Sequence, residues 1–520
     1  MRGSASLAGS RTLSQPTGIP EELLQFFRAP GAHSLIVKGA AGTGKTTFAL
    51  QLAEELGEGA RSYYMSIRVG DQSLHRQFPW LVEKRDAKVQ RAIATEPVPK
   101  ADAKAAKAPG KVDRTELQKL EGRVEMGQEG DEMYQKVGEG EAAGDSIIFD
   151  LGSDLPEIDL AYDEVERNLP ASTLVLVDSI DGLSERYGIV PSKLINTLQK
   201  DLVEKGNANI VYVLESTGET RLDYLGDGVV KFQSEEHAGR RLRVLTVEKL
   251  RGTEIRQHRY VYTLKDGRIR AFTNRPPAAP PAPGPWRAVP DLGKDIVSWG
   301  HAALDQITGG LRAGSIVALE LDPDVPSGFI DGLRLGLIAN FASHGRGVAY
   351  VPAQKSSAEG VREWAGPHLP EGAFDQHVRV YESSPLGTLE GSKNALHMEG
   401  SNVDTDLKWS NVEYRLPGSQ HPFLSLLAFD TLESVYGPSV FEQMTGHLSS
   451  VRRSRDILVG HVGPLTTSTP KLANLAHVHV KVQNVNGTIL LFGQKPYTEL
   501  FHLTFSHENG APRAILTPIV

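Results

Sequence analysis

The residues best equipped for chemistry stand together in GAAGTGKTT, from Gly39 to Thr47. Gly39, Gly42, Gly44, Lys45 and Thr46 fit the spacing G-x-x-x-x-G-K-[ST] of a phosphate-binding loop. The glycines let backbone N–H groups along Ala40, Ala41 and Thr43 turn inward around phosphate oxygens, because a Cβ would obstruct those backbone angles. Lys45 has the reach for β- and γ-phosphates, and the Thr46 hydroxyl stands where Mg²⁺ binds. A helix opening at this point, with Thr47 in its first turn, aims its positive dipole end at the anion. Asp178 closes the apolar run LVLVD. At the C-terminal end of a strand beside the loop, its carboxylate can hold Mg²⁺ through water. ATP with Mg²⁺ is the ligand this set calls for.

Such residues need a sheet to hold them. SLIVKG (34–39), YYMSI (63–67), SIIFD (146–150), TLVLVD (173–178) and NIVYVLES (209–216) are short and apolar throughout, which suits central parallel strands. Helical patterns lie between them, among them TTFALQLAEEL and PSKLINTLQKDLVEKG, the latter opening at proline and stopping at glycine. Strands alternating with helices imply right-handed βαβ units and a sheet covered on both sides.

Beyond Asp178 follow DSIDGLSERYG, LDYLGDGVVKF (222–232) and RRLRVLTVEKLRGTEIRQHRYVYTLKDGRI (240–269). In this order the segments resemble the core of RecA-like ATPases of the KaiC family, most specifically at KLRGT. SIRVGDQSLHRQFPWL (66–81), followed by a charged insertion and a degenerate second copy, is also similar to archaeal GvpD-type proteins, gas-vesicle regulators with a P-loop. The KaiC resemblance spans about 20–275 well and 295–520 dimly. It implies sites shared between neighbouring subunits, with Lys249 and Arg251 reaching the adjacent subunit's nucleotide. In a strand of period two, Arg241, Arg243, Lys249 and Arg251 fall on one face, a cationic stripe suited to phosphate or, alternatively, to solvent. The family's water-polarising glutamates, expected just after the second strand, are replaced by Arg68 and Val69, and neither accepts a proton. Glu215, at the end of VYVLES, remains as a substitute base, or as a phosphate sensor or partner of a nearby cation.

The second half echoes the first. GSIVALELDPDVPSGFIDGLRLGL follows the pattern of HSLIVKGAAGTGKTTFALQLAEEL, and FLSLLAFDTLESVYG that of STLVLVDSIDGLSERYG. The echo sets Leu321 over Gly39, Pro326 over Gly44, Ser327 over Lys45 and Gly328 over Thr46, so the cradle and its lysine are gone. Asp322 and Asp324 would oppose phosphate there, and Asp430 would survive as a remnant of Asp178. No nucleotide is expected in this half.

The resulting expectation is an α/β chain of two RecA/KaiC-like P-loop domains in tandem, each a mostly parallel twisted sheet flanked by helices, the second degenerate. A disordered lead-in covers 1–18, the ATP-binding domain 19–274, a proline-rich linker 275–290 and the degenerate domain 291–520. Within the first domain, about 83–145 is a charged low-complexity insertion. Lys84 to Lys119 holds ten Lys/Arg against five Asp/Glu, and Glu121 to Asp145 two against eight. It reads as largely disordered with one short helix at RTELQKLEGRVE, or as halves that pair or engage a partner.

A net charge of −8 does not suit a nucleic-acid or membrane coat, and no apolar run is long enough to span a bilayer. The absence of cysteine excludes disulfides and thiolate sites and fits a cytoplasmic protein. The functional expectation is an ATP-binding regulatory protein that hydrolyses slowly at best and controls protein interactions, with a homo-oligomer formed through the KLRGT strand. The alternatives are an active RecA-like ATPase acting on DNA, whose connecting loops here are too short and acidic, and a scaffold that binds no nucleotide.

Overall fold

The computed structural model describes residues 18–57, 61–66, 74, 76–81, 112, 114–118, 155–218, 220–274, 282–353, 357–383 and 393–520. It forms two compact units, one of residues 1–235, 243–273 and 520, the other of 236–242 and 274–519. The strand expected at SIIFD, and Arg68 and Val69, lie outside the described residues, as does most of the insertion.

In the first unit an eight-stranded sheet runs in the order β2-β3-β4-β1-β5-β6-β7-β8. The strands are β1 (Ser34–Gly39), β2 (Arg61–Ser66), β3 (Thr173–Asp178), β4 (Asn209–Leu214), β5 (Gly228–His237), β6 (Arg240–Leu250), β7 (Arg259–Thr263) and β8 (Arg270–Ala271). The first five pair in parallel, and β6, β7 and β8 continue as an antiparallel edge. Because successive side chains point to opposite faces, each central strand feeds two cores. Leu35, Val37, Leu174, Leu176, Val211 and Val213 pack against α1 (Glu21–Arg28) and α2 (Lys45–Leu56). Ile36, Val175, Val177, Ile210 and Tyr212 pack against α3 (Pro156–Asn168), α4 (Ile180–Tyr187) and α5 (Pro191–Leu198). The continuously apolar strands therefore cover both faces, as the sequence pattern requires. The helix expected over PSKLINTLQKDLVEKG changes character midway: α5 passes into a π-helical turn, Gln199–Lys205, before Gly206.

The second unit holds a ten-stranded sheet in the order β14-β13-β12-β15-β16-β11-β17-β18-β19-β20 and a small β9–β10 pair (Ile296–Val297, Leu311–Arg312). Its strands are β11 (Ile316–Leu321), β12 (Arg346–Val351), β13 (Val378–Glu382), β14 (Ala395–His397), β15 (Gln420–Ala428), β16 (Ile457–Val462), β17 (Val478–Val485), β18 (Thr488–Lys495), β19 (Phe501–Glu508) and β20 (Ala511–Pro518). The series β12-β15-β16-β11-β17 is parallel and is followed by an antiparallel edge, the same order and sense as β2-β3-β4-β1-β5. Helix α6 (Ser327–Ser343) follows β11 as α2 follows β1. The proline-rich stretch ends sooner than expected as a spacer. Trp286 is buried in the second core, its indole N–H donating to Asn340 at 3.3 Å, and Val289 N–H donates to the same side chain at 2.8 Å.

Candidate phosphate-binding site

The loop between β1 and α2 takes its shape from two glycines. Gly39 has φ +155°, and a Cβ there would lie 2.4 Å from the Phe232 carbonyl oxygen. Gly44 has φ +95°, and its Cβ would lie 2.8 Å from Leu264 Cδ2. Neither place accepts a side chain, which is why both positions are glycine. Gly44 is also the N-cap of α2, with no side chain capping the helix. The first intrahelical donor in this turn is Phe48, bonded to the Gly44 carbonyl at 2.8 Å. The N–H groups of Lys45, Thr46 and Thr47 thus have no acceptor within the helix, as at any helix N-terminus.

Lys45 is 5 % exposed. Its Nζ donates to the carbonyls of Gly39 at 2.7 Å and Ala40 at 2.9 Å, and reaches Glu215 Oε2 at 3.2 Å. Glu215 follows the last residue of β4, and its own N–H donates to Asp181 Oδ2 at 2.7 Å. Thr46 Oγ1 donates to Asp178 Oδ2 at 2.6 Å. The hydroxyl and the carboxylate that sequence spacing assigned to one cation therefore lie side by side. This donor set suits a hard divalent cation, which prefers oxygen ligands, and the loop's N–H groups and Lys45 suit a polyphosphate. ATP and Mg²⁺ fit the residues present.

Three contacts were not anticipated. Tyr64 donates to the same Asp178 oxygen at 3.0 Å; burial first, and then Asp178, pushes its phenol above the usual range, so it stays a donor. In the parallel register Ser66 lies beside Asp178 and Tyr64 beside Leu176, so the only sequence signal was Tyr64's two-residue offset from the strand end. Tyr262 donates to the Thr43 carbonyl at 2.6 Å, and Arg243 to the Gly42 carbonyl at 3.2 Å. Both come from the antiparallel edge, which grips the back of the loop.

Arg243 also revises the expected cationic stripe. On that face of β6, Leu245 and Val247 are buried in the core, Arg241 is exposed, and Arg243 is turned inward at 7 % exposure. Apolar burial between the charges divides the row. Lys249 donates within its own unit to the carbonyls of Gly226 (2.6 Å), Asp223 (3.3 Å) and Tyr224 (3.5 Å). Burial, and then Arg251, lower its pKa. Arg251 lies just past the strand and pairs with Asp227 at 3.2 Å, its side chain 60 % exposed.

Register shows what the second unit has at the same places. Val37 pairs with Val213, which pairs with Asp178; Leu319 pairs with His461, which pairs with Ala428. Ala428 therefore takes the place of Asp178. Asp430, expected there, sits two residues on, exposed in the first turn of α7 (Phe429–Tyr436), whose N-cap is Ala428. The echo matched the two aspartates by type, but β15 ends before Asp430. Beside Pro326 and Ser327, Asp322 has its pKa raised by burial first and then by Asp324 and Glu320.

A sheet of parallel strands with a glycine loop, a lysine and a threonine–aspartate pair at their C-terminal ends defines a P-loop nucleotide-binding protein. The sequence model of the family "GvpD gas vesicle protein, P-loop domain" matches residues 23–248, so the first unit is similar to the P-loop domain of GvpD proteins. Two proteins of Halobacterium salinarum are similar to the chain almost end to end. GvpD1 is 24 % identical, over 97 % of this chain and 98 % of its own length, and GvpD2 25 % identical, over 96 % of each. Among the described residues no helix is long and apolar enough to cross a membrane.

Proposed function

We propose that the chain is a regulatory protein of the RecA/KaiC class that binds ATP with Mg²⁺ in its first unit, hydrolyses it slowly at best, and uses occupancy to control its contacts with a protein partner in the cytoplasm. The observation that carries this reading is the 2.6 Å bond between Thr46 and Asp178 beside Lys45. Gly39, Ala40, Ala41, Gly42, Thr43, Gly44, Lys45, Thr46 and Thr47 would form the nucleotide cradle, with Thr46 and Asp178 the cation's protein partners. To meet phosphate oxygens, Lys45 exchanges its bond to Glu215. That exchange gives Glu215 a part as reporter of occupancy. Its other reading, as general base for slow turnover, rests on the same position at the end of β4. The similarity to GvpD proteins supports a regulatory role; the second unit, with Ser327 and Ala428 at the key places, would serve interaction rather than nucleotide binding.

Lys249 and Arg251 retain the second reading of contacts to a neighbouring subunit's phosphates, favoured for Arg251 by its exposure. The test is titration of purified protein with a fluorescent ATP analogue and Mg²⁺, alongside phosphate release and mass by light scattering. Saturable, Mg²⁺-dependent binding with turnover below about 1 per minute is expected, given the ~10²–10⁴-fold that loss of a water-activating group removes. No binding would end the proposal, and brisk turnover would restore the ATPase reading.

A further inference from the structure

Residues 112 and 114–118 are seated on the first unit, and the seat has the chemistry of a peptide-binding groove. Along α3, Asp159, Asp163 and Glu166 share one face at helical spacing. Arg114 bridges all three: Nη1 to Asp159 at 3.3 Å, Nη2 to Asp163 at 2.7 Å and Nε to Glu166 at 3.2 Å. Its guanidinium lies 5.4 Å from the centroid of the Tyr162 ring. Val112 and Leu117, on either side of the arginine, are 6 % and 1 % exposed and join the core of α3 and α5. The backbone is held as well. Val112 N–H donates to Glu166 at 3.3 Å, and Leu117 N–H to Asp201 at 3.1 Å.

Asp201 is fully buried, lies in the π-helical turn after α5, and also accepts from Tyr162 at 3.2 Å. The π-helical stretch that closes this helix sets the carboxylate against the Leu117 amide. Three carboxylates in a row repel one another unless a cation spans them, and a guanidinium fork does so with directed bonds where an ammonium could not. The groove therefore specifies its occupant: a helical turn with an arginine, an apolar residue two before it and another three after it.

We propose that this face is a recognition groove for an arginine-anchored turn, that Val112, Arg114 and Leu117 are its resident anchors, and that a protein partner presenting the same three anchors displaces them. The segment then works as an intramolecular competitor, whose advantage is its high effective concentration. This inference does not depend on nucleotide binding.

The test uses the full chain and a labelled peptide of residues 110–120. A variant with Val112→Ser, Arg114→Ser and Leu117→Ser empties the groove of its resident. The peptide should bind this variant at least tenfold tighter than the wild type, and binding should vanish when Asp159→Lys and Asp163→Lys are added. Failure to bind the folded variant, or equal binding to variant and wild type, overturns the proposal. If the variant does not fold, hydrogen exchange at the Leu117 amide of the wild-type chain decides. Excess isotope-labelled peptide should accelerate it several-fold, and an unchanged rate overturns the exchange.

Discussion

The two units set the same five parallel strands in the same order, yet opposite ions are buried at the same step. Lys38 on β1, with no exposed surface, lies 2.8 Å from both Asp223 and Glu248. The same register position in the other sheet holds Glu320 on β11, where it meets His479 and Lys481, each at 2.8 Å; Lys38 pairs across to Lys231, and Glu320 to Lys481. A buried charge persists only with partners of the opposite sign, and each ion has them: Asp223 and Glu248 for Lys38, His479 and Lys481 for Glu320. Each buried ion is compensated by its partners, so neither by itself sets the field at the loop above it. Below Leu321 an anion stands next to Asp322 and Asp324. The topology is shared, and the sign of the buried ion has been reversed.

The most drastic way to break this contrast is Lys45→Ala, expected to weaken Mg²⁺-dependent nucleotide binding by about 10²-fold, the scale of a charged hydrogen-bonding partner lost from a buried site. Fluorescence titration reads it, and Ser327→Ala in the second unit should change nothing. Next comes Glu320→Ala, which leaves His479 and Lys481 without their shared carboxylate. A loss of about 3 kcal/mol is expected, seen in calorimetry as a lower melting temperature.

The pH dependence sharpens the comparison further. Burial alone would lower the Lys38 pKa, but bonds to Asp223 and Glu248 outweigh it and hold it above 10.5. Its folded value is raised, so its stabilisation is full below 10.5 and is lost as pH climbs through the higher folded value. Glu320 is the reverse. Burial would raise it, but His479 and Lys481 pull it below 4.5, so its contribution is present above 4.5 and fades as pH falls through the lower folded value. Lys38→Met should therefore flatten the alkaline limb of a melting-temperature profile and leave the acidic fade due to Glu320. An alkaline limb unchanged by the substitution would refute the assignment.

A smaller effect concerns Lys249 and Arg251. Removing the clamp on three carbonyls by Lys249→Ala should cost about 1 kcal/mol, whereas Arg251→Ala, an exposed pair, should cost less than about 0.5 kcal/mol. If light scattering showed both variants losing a nucleotide-induced assembly equally, the contact to a neighbouring subunit would outrank the contact within the unit.

Much of the site was legible because it is local: Gly39 to Thr47 is one continuous loop, and Asp178 ends a strand whose boundaries the apolar run already marks. The strands at 34–39 and 173–178 were read to the residue for the same reason. What escaped depends on register between distant strands. Nothing in the text of the chain says that Tyr64 reaches Asp178, that Arg243 turns inward, or that Ala428 rather than Asp430 takes the place of Asp178. A shift of one residue in pairing reverses which face a side chain takes, and sequence echo cannot measure it. The inversion at Lys38 and Glu320 was visible letter by letter, but its meaning required knowing that both are buried.

The grip of Tyr262 and Arg243 on the loop's outer carbonyls makes the cradle a suspended object, hung from the antiparallel margin rather than resting on the central strands alone. Anything that tugs β6 or β7, whether a docking protein or a substitution far from Lys45, would tilt the loop's amides. Conversely, an occupied cradle would stiffen that margin. In such an arrangement the outer hairpin is the lever through which the inside of the molecule can be felt from without.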